Sequence, residues 1–215
     1  MLKRLRSRLN DETIPMTHTL SRRAFLKAGA AGTIGLGALS SPTAVLAQQK
    51  KDISAHIAPE LDVSEWIDGK GKKTQAFSIT ANRGKWIYLK CFQEWCPSCH
   101  SIGFPNLQKL VEAFPDDKKV AKAVIQTTFE GFSTNGFSAL RKNQLRYNLD
   151  LPFGHDPGNN ELSRDDLGHY PKTMISYHTR GTPWVVLIDP DGVVVYSDFH
   201  IDVDKLIPFL KEKTA

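Results

Sequence analysis

The chain has 215 residues, 40% of them hydrophobic and 24% charged, which suits one domain with a proper apolar core. Its three cysteines are too few for a disulfide-stapled framework. The formal charge of +5 is concentrated at the front: residues 1–47 carry seven of the 28 basic and two of the 23 acidic residues, leaving 21 of each behind them. That balance argues against a nucleic-acid partner.

Ser21-Arg22-Arg23-Ala24-Phe25-Leu26-Lys27 precedes a weakly apolar Ala/Gly-rich run from Ala28 to Leu46, and Ala44-Val45-Leu46-Ala47 offers small residues at a signal-peptidase site. Paired arginines, a weak hydrophobic core and a small-residue exit read as a bacterial twin-arginine signal over residues 1–47. The alternative is a chance Arg-Arg beside a short membrane anchor. Gly29, Gly32, Gly35, Gly37 and Pro42 make that run a poor spanning helix. The expectations are export through the twin-arginine translocase to the periplasm, and no stable membrane span in the mature chain. Residues 48–56 read as a polar leader and 57–215 as the folded domain.

Leu61–Val63 and Phe77–Ile79 flank Asp68-Gly69-Lys70-Gly71, a hairpin signal with Trp66 and Ile67 packing at its edge. Arg83-Gly84-Lys85 turns into a strand over Trp86–Phe92. A helix is expected from about Cys96 to Phe114, with Ile102, Leu107, Leu110, Val111 and Phe114 at helical steps and Pro105 kinking it. Val120–Ile125 is a second strand, Gly131–Gly136 a loop, and Phe137–Tyr147 a helix with Phe137, Leu140 and Tyr147 inward. A short extended piece at Leu151–His155 leads to a polar surface excursion over Pro157–Pro171. A short helix around Thr173–His178, strands Trp184–Ile188 and Val193–Tyr196 about an Asp-Pro-Asp-Gly turn, and a helix near Val203–Lys213 complete the chain. This order predicts an α/β domain, a mixed sheet covered by helices.

The chemistry centres on Trp95-Cys96-Pro97-Ser98-Cys99-His100. A helix opening at Cys96 directs unpaired N–H groups and a positive dipole end at its sulfur. Such a site lowers a thiol pKa from about 8.5 to roughly 3.5–7.5 and favours the thiolate that attacks disulfides. Cys99 lies one turn on, close enough to resolve a mixed disulfide. A zinc site needs about four ligands, and no second CxxC or HxxxH exists. A structural bridge gains more from closing a longer loop. Reversible redox use is the favoured reading, with no cofactor or metal implied.

The ordered set Ala58-Pro59-Glu60-Leu61, Arg83-Gly84-Lys85, Trp95-Cys96-Pro97-Ser98-Cys99, Leu151-Pro152-Phe153 and Gly181-Thr182-Pro183, followed by Leu187-Ile188-Asp189-Pro190-Asp191-Gly192, resembles the TlpA/ResA-like branch of exported thioredoxin-fold thiol–disulfide oxidoreductases. The resemblance implies a thioredoxin fold with a central mixed sheet, an N-terminal hairpin extension and a central insertion. It further implies Cys96 as nucleophile, Cys99 as resolving thiol, and a cis bond between Thr182 and Pro183 facing them. Implied partners are protein thiols and disulfides together with an upstream thiol donor, and the branch favours a reductant over an oxidant. Three positions depart from the pattern. Pro105 falls six residues after Cys99 where the family usually has five, which a one-residue helical insertion would accommodate. Gly103 and Phe104 stand where a Glu is common. Lys90 stands where relatives carry Asp or Asn.

Lys90 beneath a thiolate would lower the Cys96 pKa or lose its own proton through burial; the alternative is a stem running to water. Cys91 alternates with Lys90 and should be a small buried residue on the opposite face. Glu94 is either a proton relay to Cys99 or a solvated loop carboxylate. Trp95 either shields the disulfide or simply packs, and Pro97 lies inside the motif. His100 could assist the thiolate but equally reads as a helix-surface histidine. His155, His169, His178 and His200 have no ligand spacing. Two rival functions remain. A thiol peroxidase would need a Thr-x-x-Cys nucleophile, and Gln93 stands three before Cys96. A Sco-type copper chaperone would need a wider CxxxC with a distal histidine, for which His169 or His178 could serve.

Overall fold

The computed structural model describes residues 56–215. The expected signal and the leader up to residue 55 lie outside the described residues. Strands β1 (Glu65–Ile67), β2 (Lys73–Thr74), β3 (Trp86–Phe92), β4 (Val120–Thr128), β5 (Phe153–Pro157), β6 (Trp184–Ile188) and β7 (Val194–Asp198) form one seven-stranded mixed sheet in the order β2-β1-β5-β4-β3-β6-β7. Helices α1 (Phe104–Ala113), α2 (Ser138–Tyr147), α3 (Lys172–Ser176) and α4 (Val203–Lys213) cover it.

The centre belongs to β3 and β4 because both are buried along their whole length. They pair in parallel from Trp86↔Val120 to Phe92↔Gln126, and β5 continues the parallel set beside β4. Continuous apolar strands need both faces covered. On one face Trp86, Tyr88 and Phe92 pack with Leu107 and Leu110 of α1, Leu140 of α2 and Leu206 and Leu210 of α4. On the other, Ile87, Leu89 and Cys91 pack with Ala58, Leu61, Val63, Ile79 and Tyr177. The two-residue strand period therefore places Lys90 and Cys91 on opposite faces.

The hairpin forms around the expected turn, but its strands are shorter and closer to it, pairing Trp66 with Thr74 and Ile67 with Lys73. Phe77–Ile79 is not its second arm. The Glu60 carboxylate accepts the N–H groups of Ile79 (2.9 Å) and Thr80 (2.6 Å), which starts a 3₁₀ turn at Thr80–Asn82 instead. Leu61 and Val63 are buried outside any strand. β4 runs three residues beyond its expected end, carrying Gln126, Thr127 and Thr128 into the interior. Most of 157–171 lies on the surface as expected, while His169 is buried at the end of a 3₁₀ turn over Leu167–His169.

Candidate active site

The helix after β3 begins at Pro97, so Cys96 precedes its first turn. Proline suits that position, since its missing N–H is one of the donors a helix start leaves unpaired. Cys96 and Cys99 are joined in a disulfide with their Cα atoms 5.3 Å apart. The Cys96 sulfur also accepts the N–H of Cys99 at 3.2 Å. A thiolate at Cys96 would meet that same donor and the positive end of the helix. Cys96 is 3% exposed and Cys99 0%, so Cys96 is the residue of the pair nearer solvent.

From Cys99 to Gly103 the helix widens into a π turn, and Phe104 donates its N–H to the carbonyl of Cys99. The extra residue places Pro105 at the start of regular α1, where its lost donor costs little. Cys99 and Gly103 are the buried residues of this turn. A Cβ at position 103 would collide with the Lys90 amine and stand 3.4 Å from Cβ of Pro183. The Thr182–Pro183 bond is cis, and Pro183 is buried against the same turn. The turn begun by Cys99, the Pro183 loop and Lys90 thus meet at Gly103.

Lys90 is 0% exposed, which rules out a stem running to water. Its Nζ has no hydrogen-bond partner and lies 5.2 Å from the centre of the Phe104 ring. Burial lowers its pKa to about 7. The second buried lysine differs: Lys122 Nζ donates to the carbonyls of Phe114 (2.9 Å), Asp116 (3.0 Å) and Val120 (2.8 Å) and pairs with Asp117. Cys91 is buried on the far face, where burial, with help from the Asp156 charge, pushes its thiol up to about 12.

Glu94 is tied to α2. Its two carboxylate oxygens accept from Lys142 Nζ and Asn143 Nδ2 of α2. Burial would raise its pKa, but those hydrogen bonds and the charges of Lys142 and His100 outweigh it and hold the carboxyl below its ordinary value. His100 is built into the same junction. The Glu94 carbonyl can only accept, so Nε2 donates to it at 2.6 Å, while Nδ1 meets the Tyr147 hydroxyl at 2.6 Å. The Phe104 and Tyr147 rings stack at 4.2 Å, with His100 stacked on both.

Trp95 is 46% exposed at the rim and donates its indole N–H to Gln93 Oε1 at 3.3 Å. Behind it lies a clamp that motif reading missed. Asn135 Oδ1 accepts the Glu94 N–H at 2.6 Å and Gln126 Nε2 at 3.3 Å, while its Nδ2 donates to the carbonyls of Glu130 and Gly131. In sequence only the Asn-Gly turn signal marks Asn135. Both ring nitrogens of His169 face main-chain carbonyls, Nδ1 those of Asn159 and Leu162 and Nε2 that of Phe129. In this arrangement His169 is not available as a distal metal ligand.

No protein-family model and no curated protein sequence matches the chain. Solved structures do. The crystal structure of the thioredoxin-like superfamily protein SPOA0173 is 31% identical with a TM-score of 0.62, over 74% of this chain and 96% of that one. The chain belongs to the thioredoxin-like superfamily. A thiol-disulfide isomerase from Corynebacterium glutamicum is 26% identical with the same TM-score, over 75% of this chain and 97% of that one. The thioredoxin domain of a thiol-disulfide oxidoreductase from Bacteroides vulgatus, at 20% identity and TM-score 0.51, covers 75% of this chain and all of that one, and shares the fold. In this thioredoxin-like chain the Cys96–Cys99 pair at a helix start is the arrangement of a protein-disulfide oxidoreductase.

Proposed function

We propose that the chain is an exported thiol–disulfide oxidoreductase of the TlpA/ResA-like kind that acts on cysteines of other proteins, as a reductant rather than an oxidant. The observation that carries this reading is the Cys96–Cys99 couple at the helix start, with a backbone N–H already aimed at the Cys96 sulfur. In the reducing direction the Cys96 thiolate attacks a substrate disulfide, forming a mixed disulfide and releasing one substrate sulfur as thiolate. Cys99 then attacks Cys96, the internal disulfide forms, and the second substrate sulfur leaves. An upstream thiol donor restores the dithiol. Pro183 and Thr182 border the site where a substrate strand would pair, Trp95 and Pro97 form its exposed rim, and Glu94 ties the motif to α2. Export rests on the paired arginines and small-residue exit within residues 1–47, with 57–215 as the working domain in the periplasm. Among the described residues no helix is long and apolar enough to cross a membrane.

The test is insulin disulfide reduction with a dithiol donor, together with equilibration of the couple against glutathione. Cys96→Ser should abolish turnover, and Cys99→Ser should accumulate mixed disulfides through Cys96. A reductant should equilibrate near the thioredoxin end of the scale, about −270 mV, and an oxidant near about −120 mV. Peroxide consumption unaffected by protein disulfides, or stoichiometric copper retained after desalting without insulin reduction, would replace this reading with a peroxidase or a copper chaperone.

A further inference from the structure

His100 follows the resolving cysteine directly, yet the exchange steps above give it no task. Nε2 donates to the Glu94 carbonyl and Nδ1 meets the Tyr147 hydroxyl, each at 2.6 Å. Phe104 and Tyr147 stack on the imidazole with ring centres at 5.7 and 5.8 Å. With both nitrogens engaged, the ring in this arrangement is not free to take a thiol proton. Its contribution to the exchange is therefore sought in what it holds.

Residues Gln93 to Cys96 form a tight turn, in which the Cys96 N–H donates to the Gln93 carbonyl at 3.2 Å. The carbonyl that His100 holds belongs to the middle peptide of that turn. Other contacts of Glu94 run to distant parts of the chain, its N–H to Asn135 Oδ1 and its carboxylate to Lys142 and Asn143. The His100 bond instead joins residue 94 to residue 100, and both cysteines lie between them. It closes the same stretch of chain that the Cys96–Cys99 bond closes. Two clasps on one loop are not independent. Bringing the ends of a loop together costs conformational entropy. In the disulfide form the covalent bond holds the loop by itself. In the dithiol form no covalent bond ties the turn to the helix start, and there the His100–Glu94 bond keeps the loop closed. The effective concentration of one thiol at the other then governs how readily the internal disulfide forms.

We propose that His100 is a positioning residue for the couple: by clasping the Glu94 carbonyl it pre-organises the dithiol, speeds ring closure by Cys99 and makes the couple more reducing. The proposal rests on the reading of Cys96 and Cys99 as an exchanging couple. In the step it favours, the Cys99 thiol gives its proton to solvent and the thiolate attacks the Cys96 sulfur of the mixed disulfide. The Cys96–Cys99 bond forms, and the bond from Cys96 to the substrate sulfur breaks with its electron pair leaving on the substrate thiolate. The two enzyme sulfurs are oxidised overall and the substrate disulfide is reduced. His100 takes neither proton nor electron; it acts through the peptide that leads into Cys96.

The experiment needs no physiological substrate. The couple is equilibrated against glutathione near neutral pH, and the dithiol fraction is counted after acid trapping. In parallel, reduced protein is mixed with 5,5′-dithiobis(2-nitrobenzoate) in a stopped-flow instrument, where the second thionitrobenzoate released reports closure by Cys99. His100→Phe keeps a ring to stack and removes both hydrogen bonds. It should move the equilibrium about tenfold toward the dithiol, about 30 mV for a two-electron couple, and slow the second release to a similar extent. His100→Gln sets an amide N–H within reach of the Glu94 carbonyl, so it should stay within about threefold of the wild type. Tyr147→Phe removes only the hydroxyl that orients the imidazole and should shift the equilibrium the same way by a smaller factor. A purely structural histidine would weaken the oxidised and reduced forms alike, lowering both urea midpoints and leaving the equilibrium unmoved. That result, a shift toward the disulfide, or a His100→Gln variant displaced as far as His100→Phe would each overturn the proposal. Should His100→Phe fail to fold, an unmoved Tyr147→Phe overturns it in that variant's place. A wild type whose two cysteines do not equilibrate with glutathione would instead overturn the exchanging couple itself.

Discussion

A buried lysine whose amine has no hydrogen-bond partner is a burden on the folded state, and pH sets its size. In the unfolded chain the amine holds its proton up to about pH 10.4. Folded, it gives the proton up near about 7. Between those values the unfolded chain binds more protons, so stability rises with pH across the window. A shift of that size corresponds to on the order of 4 kcal/mol, reached only above the upper value. Lys90→Met should therefore be more stable than the wild type at neutral pH, and its urea midpoint should change far less between pH 7 and 10. The alternation of Trp86–Phe92 already located Lys90 beneath the motif. What sequence alone left undecided was burial against exposure, because a lysine stem reaches either outcome. The space at Gly103 decides it, and that space exists only once the helix has widened.

At the level of elements, the motif is held from two sides. The π turn fits the six-residue spacing between Cys99 and Pro105, which sets the proline at the start of regular α1. That spacing was readable in advance. The loop before α2 was not, since Gly131–Gly136 reads only as a turn-rich connection. Its Asn135 gains meaning by folding back onto Glu94, 41 residues earlier in the chain. Asn135→Ala would leave the Glu94 N–H and the Glu130 carbonyl without their side-chain partner. It should cost about 1–3 kcal/mol in chemical denaturation. It should also slow disulfide exchange through the loosened Trp95 rim, measured as insulin reduction at matched folded fraction. Side-chain hydrogen bonds across such distances leave no periodic trace, and for that reason the clamp, the His100–Tyr147 contact and the Glu94–Asn143 contact emerged only with the fold.

Across the whole domain, apolar periodicity and turn chemistry specified most of the architecture. β3 and α4 fall on the residues expected of them, and the sheet is mixed as the element order required. The hairpin arms and the end of β4 differ for one reason: polar residues there are satisfied by tertiary partners, Glu60 over residues 79–80 and Asn135 beside Gln126 and Thr128. The two apolar layers on either side of the sheet also divide the sulfur chemistry. Cys96 and Cys99 meet the α1 side, whereas Cys91 is sealed in the other layer with its thiol pushed up to about 12. After reduction, brief alkylation of the native protein should therefore label Cys96 first, whereas Cys91 should be labelled only in molecules that have come apart. Without any engineered probe, Cys91 makes the chain its own counter of opened copies.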